Sequence, residues 1–385
     1  MTIRGIDGSM RRVARSRFLP STLALALLGL LALAAAGCRQ AAPLPPEAAA
    51  APPPWDIENP LRPLPAPPLG SPADFDQLPF RVTPEKVRLG RWLFYDARLS
   101  ADGTISCATC HRPENGFSEP TPVSTGIHGA KGARKSQPIL NAAWPVYPVW
   151  FWDGRAASLA DQVSGPIENP VEMGSSLERA VATIAALRGY PPYFREAFGS
   201  DAVDLPRISE AIAAYEATRL SGNSRWDRYE AGDEGALSAL EAYGRELFFG
   251  RADCKQCHLG PSLSDGRFHN LGVGWSEPPP LAPLMSGFAD RGRYEVTKDP
   301  RDVGAFKTPT LRDVSRRAPY MHDGSVPDLW EAVLHYWRGG TPNPWLSERM
   351  APVPLDRRDV RALVAFLEAL DGEGFADVAP ESFPP

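Results

Sequence analysis

Short amphipathic runs, separated by long stretches without period, organise this chain between residues 83 and 370. The first starts at Thr83-Pro84-Glu85, a helix-opening signal, and places Val87, Leu89, Leu93 and Phe94 at roughly helical spacing. Further helices are expected over 176–187 and 205–220, the second with Ile208, Ile212 and Tyr215 on one face. Residues 234–249 read as another amphipathic helix, and 328–337 as a short one with an aromatic face. The last, 356–370, opens on aspartates and continues Val360, Leu363, Val364, Leu367. Over 259–309 glycine and proline are frequent and no period emerges, so loops should dominate. The expected fold class is mainly α, with long loops and little β structure.

The two ends read differently. Arg11, Arg12, Arg15 and Arg17 precede an apolar run from Phe18 to Ala36, which leads into Ala35-Ala36-Gly37-Cys38. A basic start, an apolar core and small residues before a cleavage point describe a secretory signal over 1–37. Cysteine directly after Ala-Ala-Gly resembles a bacterial lipoprotein signal, with Cys38 as the lipidated first residue of the mature chain. An ordinary signal peptide or a retained anchor is the alternative, and Met10 would give a more typical start. The expected location is the periplasmic side of a bacterial membrane, the outer membrane favoured, with the lipid membrane as one partner. Residues 38–80 are rich in proline and alanine and read as an extended tether, and 372–385 as an irregular tail.

Length and charge narrow the function. The 385 residues can hold two domains, and 33 glycines with 42 prolines suit long loops around cofactors better than a simple helical bundle. A net charge of -5 with interspersed signs lacks the basic patch of a nucleic-acid binder, so no nucleic-acid partner is expected.

The chemistry lies in Cys107-Ala108-Thr109-Cys110-His111 and Cys254-Lys255-Gln256-Cys257-His258. Each is C-x-x-C-H, the attachment signature of a c-type haem, in which two thiols bond the porphyrin edge and the next histidine reaches the iron. A redox dithiol or a four-thiolate zinc site could use the cysteines, but would leave both histidines without a reason. Two covalently bound haems are therefore expected, in domains over 81–233 and 234–371. Gly90-Arg91-Trp92-Leu93-Phe94 parallels Gly244-Arg245-Glu246-Leu247-Phe248 ahead of the two motifs, a weak internal repeat of cytochrome c-like units. Between the motifs lie the aromatics Trp144, Tyr147, Trp150, Phe151 and Trp152, then Asp153-Gly154-Arg155.

Over about residues 81–371 the chain resembles the bacterial di-haem cytochrome c peroxidase family, including its MauG-type members. The strings that carry the resemblance are Phe151-Trp152-Asp153-Gly154-Arg155, Pro166-Ile167-Glu168-Asn169-Pro170-Val171-Glu172-Met173, Phe306-Lys307-Thr308-Pro309-Thr310-Leu311-Arg312 and Ala318-Pro319-Tyr320-Met321-His322-Asp323-Gly324. The resemblance implies that His111 ligates the haem at which hydrogen peroxide reacts, and His258 the second haem. It makes Trp152 the route between them, with plain packing as the alternative. Glu172 becomes the distal acid-base group, against a surface glutamate, and Gln162 a second residue of that pocket. Tyr336 stands fourteen residues after His322, where conventional di-haem peroxidases carry methionine and MauG-type enzymes tyrosine. A phenolate ligand on the second iron favours its higher oxidation states; His335 or Met321 could bind instead. His128, ten residues before Pro138, matches a removable distal ligand of the first haem, or is an exposed loop residue. The family's calcium ion would meet Ser136 and the carbonyls of Arg317 and Pro319, with serine a weaker ligand than an amide or carboxylate.

The expected function is a di-haem peroxidase oxidising a partner protein or a small redox protein, such as a cytochrome c or cupredoxin, through long-range electron transfer. MauG-like side-chain oxidation is favoured by Tyr336. A conventional peroxide-detoxifying cytochrome c peroxidase and a non-enzymatic dihaem cytochrome are the alternatives.

Overall fold

Side-chain caps set where the helices begin, and most are legible in the sequence. A computed structural model of the chain describes residues 51–71, 74–142 and 147–385; the signal segment, Cys38 and Trp144 lie outside the described residues. Helix Pro84–Tyr95 starts at Thr83, whose hydroxyl accepts from the Lys86 N–H, and Pro84 takes the first position, where no N–H is needed. Ser176, Asp204 and Asp328 cap helices Leu177–Ala186, Leu205–Ala217 and Leu329–Trp337 in the same way. Asp356 and Asp359 form a capping box for Arg357–Glu368. The helix expected from 234 begins only at Ala239, because Ser238 and Glu241 form their own capping box there while 233–236 turn.

The sequence pattern did not reveal helices Leu159–Glu168, Pro191–Phe198 and Arg225–Glu230. Nor did it reveal the antiparallel pair Phe268–Asn270 with Ala305–Lys307, which sets His269 opposite Phe306. Strands of three residues are too short to show a period. The chain is nevertheless mainly α-helical, as expected.

Two helix pairs carry the core, and they are built alike. Pro84–Tyr95 crosses Leu205–Ala217 so closely that a Cβ on Gly90 would lie 1.8 Å from the Ala211 carbonyl oxygen. Ala239–Phe249 crosses Arg357–Glu368 with the same contact, a Gly244 Cβ falling 1.9 Å from the Ala362 oxygen. Around the first crossing Leu89, Leu93, Phe94, Ile208 and Tyr215 are buried together, and around the second Leu247, Phe248, Val360, Leu363 and Phe366. The obstructing atom is backbone in both cases and cannot rotate away. Gly90→Ala and Gly244→Ala should therefore each destabilise the fold by about 1–3 kcal/mol through overpacking. A lowered urea midpoint at unchanged slope would show it, and wild-type midpoints would mean the helices can part without loss.

The flanks are docked rather than loose. Trp55 Nε1 donates to the Tyr193 hydroxyl at 2.8 Å, and that hydroxyl donates to Asp56 at 2.7 Å. The Asn223 N–H donates to the Leu69 carbonyl at 2.7 Å. The part of the expected tether from Pro54 to Glu58 is thus helical and packed, because Trp55 has an apolar site and a hydroxyl partner on the body. In the tail, Phe375 joins the first core and Asp377 accepts from Arg91 at 3.0 Å and from the Tyr215 hydroxyl at 2.6 Å. Among the described residues no helix is long and apolar enough to cross a membrane.

Candidate active site

Each helix pair delivers one C-x-x-C-H segment to the wall of a cavity. The first cavity, about 590 Å³, is lined by Cys107, Cys110 and His111; the second, about 390 Å³, by Cys254, Cys257 and His258. Both volumes lie in the range of small-molecule and cofactor sites. The two histidines are held identically. His111 Nδ1 lies 3.1 Å from the Phe117 carbonyl oxygen and His258 Nδ1 2.9 Å from that of Leu263. A carbonyl can only accept, so Nδ1 carries the proton and Nε2 keeps its lone pair for a metal. Phe94 flanks the first imidazole at 6.5 Å and 46°, and Phe248 the second at 6.4 Å and 49°. Burial lowers both histidine pKa values, which favours the neutral, ligating form. None of the four cysteines is in a disulfide, and burial pushes Cys110 up to about 11 and Cys254 to about 12. Paired thiols, a neutral imidazole with a free lone pair and an enclosing cavity fit a covalently held haem in each place.

Gln162 and Glu172 line the first cavity. Helix Leu159–Glu168 presents Gln162 and stops before Asn169-Pro170, as a residue preceding proline disfavours helix. The turn that follows carries Glu172, whose Oε1 accepts from Asn169 Nδ2 at 2.7 Å. Burial raises the Glu172 pKa against the lowering effects of Asn169 and Arg155, so the carboxyl holds its proton to higher pH than usual.

The loop of His128 has a different contact with this site. The Ile127 N–H donates to the Glu172 carbonyl at 2.9 Å, and a Cβ on Gly126 would meet the Val171 oxygen at 2.2 Å. It is backbone, then, that packs on the Glu172 turn. His128 sits at the turn's tip with φ 55°, its side chain 76% exposed and its Nδ1 3.6 Å from Asp102. The structure does not bring His128 into either cavity.

Trp152 lines both cavities, and its Nε1 donates to the Lys135 carbonyl at 2.8 Å. Tyr336 lines the second, together with Met321 and His322. Burial raises the Tyr336 pKa, so without a cation at its oxygen the phenol stays protonated. His335, one residue earlier, turns away and its Nε2 lies 3.0 Å from the Leu271 carbonyl.

Ser136, Arg317 and Pro319 share a wall of the second cavity. The Ser136 hydroxyl donates to the Cys110 carbonyl at 2.9 Å, and no carboxylate is among the three. Lys135 is buried beside them, and burial pulls its pKa down to about 8, opposed by Glu119 and aided by Arg317. The two cations there are accompanied by the buried Glu119 carboxylate, whose Oε1 accepts from the Ser136 N–H at 2.9 Å.

Several residues at the site escaped the sequence reading. Asp265 and His269 stand with Cys257 within 4.8 Å of one another, which places them beside the second attachment point. Glu216 lines the first cavity, 4% exposed, its Oε2 without a hydrogen-bond partner among the described residues and its pKa pushed by burial to about 8. An acid four residues after Ile212, on an apolar stripe, is the signal that could have found it. Lys307 lines both cavities, and it lay within one of the family-like strings without a role.

The comparisons with known proteins agree with this construction. A family profile for di-haem cytochrome c peroxidase matches residues 84–235. The chain is 40% identical over 302 residues to the methylamine utilization protein MauG of Methylorubrum extorquens, covering 78% of this chain and 82% of that protein. It is 36% identical over 294 residues to cytochrome c551 peroxidase of Pseudomonas aeruginosa, covering 76% and 80%. A solved MauG-like protein associated with microbial copper homeostasis shares 31% identity at a TM-score of 0.66, over 81% of this chain and 94% of that one. Two equivalent C-x-x-C-H cavities and relatives aligned across both make this chain a member of the bacterial di-haem cytochrome c peroxidase and MauG family, a peroxide-using electron-transfer enzyme with two c-type haems and a redox partner such as a cytochrome c.

Proposed function

We propose that this enzyme is of the MauG-like type, handling hydrogen peroxide in the first cavity and oxidising a partner protein or small redox protein at a distance. The observation that supports it most is Tyr336 in the second cavity with His258. Haem iron, when bound, supplies the site for peroxide and the capacity to store oxidising equivalents. The chain's own groups do the rest. Glu172 takes a proton from peroxide and returns it to the departing oxygen, oriented by Asn169 on Oε1. Gln162 adds a hydrogen-bonding group at the same cavity. Trp152, on the wall shared by both cavities, is the route for electrons. Its N–H is held by an amide carbonyl, a poor base, so the indole keeps its proton when an electron leaves.

His111 and His258 would bind the two irons, and Tyr336 would be a further ligand of the second. His128 is a ligand only if its loop rearranges, and calcium plays no part in these steps. The domains would run 81–233 and 234–371. Export, lipidation at Cys38 and a periplasmic, membrane-anchored location remain part of this reading, as does a cytochrome or cupredoxin as electron donor.

A conventional cytochrome c peroxidase is the second reading, favoured by Met321 in the same cavity as Tyr336. Optical and low-temperature paramagnetic resonance spectra, before and after one equivalent of peroxide, separate the two. One high-spin and one low-spin ferric haem are expected, with the low-spin signal altered by Tyr336→Met and untouched by Met321→Leu. The reverse pattern, or peroxide reactivity that requires prior reduction, would move the assignment to the second reading.

A further inference from the structure

Several enclosed cations of this protein pair with carboxylates, whereas Lys135 and Arg317 are met by two or more main-chain carbonyls each. Arg312 is bidentate to Asp227 at 2.8 Å, Lys86 meets Glu210 at 2.6 Å, and Arg134 meets Asp153 at 2.7 Å. Lys307 is 5% exposed, and among the described residues the one hydrogen bond of its Nζ is to the Val149 carbonyl at 2.9 Å. It also stands 4.6 Å over the Tyr147 ring. An ammonium has three donors, so this is sparse provision for a buried charge.

The acid that acts on its charge is already occupied. Asp153 attracts the Lys307 charge, but its oxygens are taken by Arg134 at 2.7 Å and Arg155 at 3.0 Å. Lys135, also on the shared wall, has the carbonyl oxygens of Glu119 and Thr121. With the protein alone around it, Lys307 is pulled by burial down to about 7. It lines both cavities, and its main-chain N–H donates to the Trp152 carbonyl at 2.8 Å.

A c-type haem brings its own anions. Thioethers hold it at its vinyl edge, and its two propionate carboxylates project from the opposite part of the macrocycle. We propose that Lys307 is the receptor for a haem propionate on the wall between the two cavities, and so a positive charge that sets haem potential beside the Trp152 route. A charge-assisted hydrogen bond from Nζ to a carboxylate oxygen would satisfy the donors that the protein leaves open. The positive charge favours the reduced, less positive haem. Removing it leaves the propionate without its partner and lowers the potential.

Because the pairing presupposes two bound haems, haem content is measured first. Fewer than two haems per wild-type chain would defeat the family reading of the cavities, not the lysine's role within them. Spectroelectrochemical titration then compares the haem-loaded wild type with Lys307→Met, Lys307→Gln, Lys307→Arg and the exposed control Lys131→Met. At a fixed potential, the two neutral variants should shift the reduction equilibrium of at least one haem about tenfold toward oxidised, close to 59 mV for one electron. Lys307→Arg and the control should stay near wild type. The haem that moves, high-spin or low-spin, identifies the cavity that supplies the carboxylate. Lys307→Gln carries the test if the methionine variant does not accumulate. Unchanged potentials at both haems in a neutral variant with two haems attached would overturn the assignment.

Discussion

Glu172→Gln is expected to slow peroxide turnover by roughly a hundredfold to ten-thousandfold, the range for losing a positioned acid-base group. Glutamine keeps an oxygen for Asn169 Nδ2, now 2.7 Å from Oε1, so the turn should hold its shape. What disappears is the ability to accept and return a proton. The pH profile provides a second readout. Burial raises the carboxyl's pKa, and a base works only when ionised, so the acidic limb of the wild-type rate should lie above the usual glutamate value of about 4.3. That limb should vanish in the variant. Steady-state rates against pH, with a reduced cytochrome or dye as donor, would check both points. A variant that turns over at the wild-type rate with the same limb would place the acid-base group elsewhere, with Glu216, a buried acid lining the same cavity, as the next candidate.

Asp227→Ala should cost about 3–5 kcal/mol of stability, because it strands a buried guanidinium. Arg312 and Asp227 are 1% and 3% exposed and paired through both nitrogens at 2.8 Å. The same guanidinium donates to the Pro261 carbonyl at 2.6 Å and the Gly70 carbonyl at 2.7 Å, tying helix Arg225–Glu230 to the segment after the second haem motif and to the docked flank. Burial alone would raise the Asp227 pKa, but Arg312 outweighs it and holds the carboxyl below its ordinary value. Its contribution is therefore present above the unfolded-chain pKa of about 3.9 and is lost as pH falls through the lower folded value. Urea unfolding of the haem-loaded protein reads the first effect, and repeating it in acid the second. A double replacement, Asp227→Leu with Arg312→Met, should recover most of the loss, since apolar substitutes for a buried ion pair are often neutral. A single variant as stable as wild type would show that water reaches the guanidinium.

What the sequence could determine by itself was what acts within one turn of chain. C-x-x-C-H puts two thiols and an imidazole on one cofactor regardless of what surrounds them, and a serine or aspartate caps the helix it precedes. Hence the two haem motifs, the starts of most of the expected helices and the repeat around Gly90 and Gly244 were readable, and the family with them. The parallel even extended to what could not be read: both glycines touch a carbonyl of the partner helix. Only the tertiary structure decided which distant segments share a wall. Trp152 and Lys307 are far apart in sequence yet adjacent through one main-chain hydrogen bond, and nothing in either local pattern encodes that meeting. His128 could be matched to a spacing but not aimed, because backbone packing at Gly126 and Ile127 determines which way the turn's tip faces. The proline-rich flank looked like a tether because composition averages over it, whereas docking depends on single side chains such as Trp55 finding a partner. Burial decided the protonation states: enclosure raises the pKa of Glu172 and lowers that of Lys307, and enclosure is a property of the whole fold.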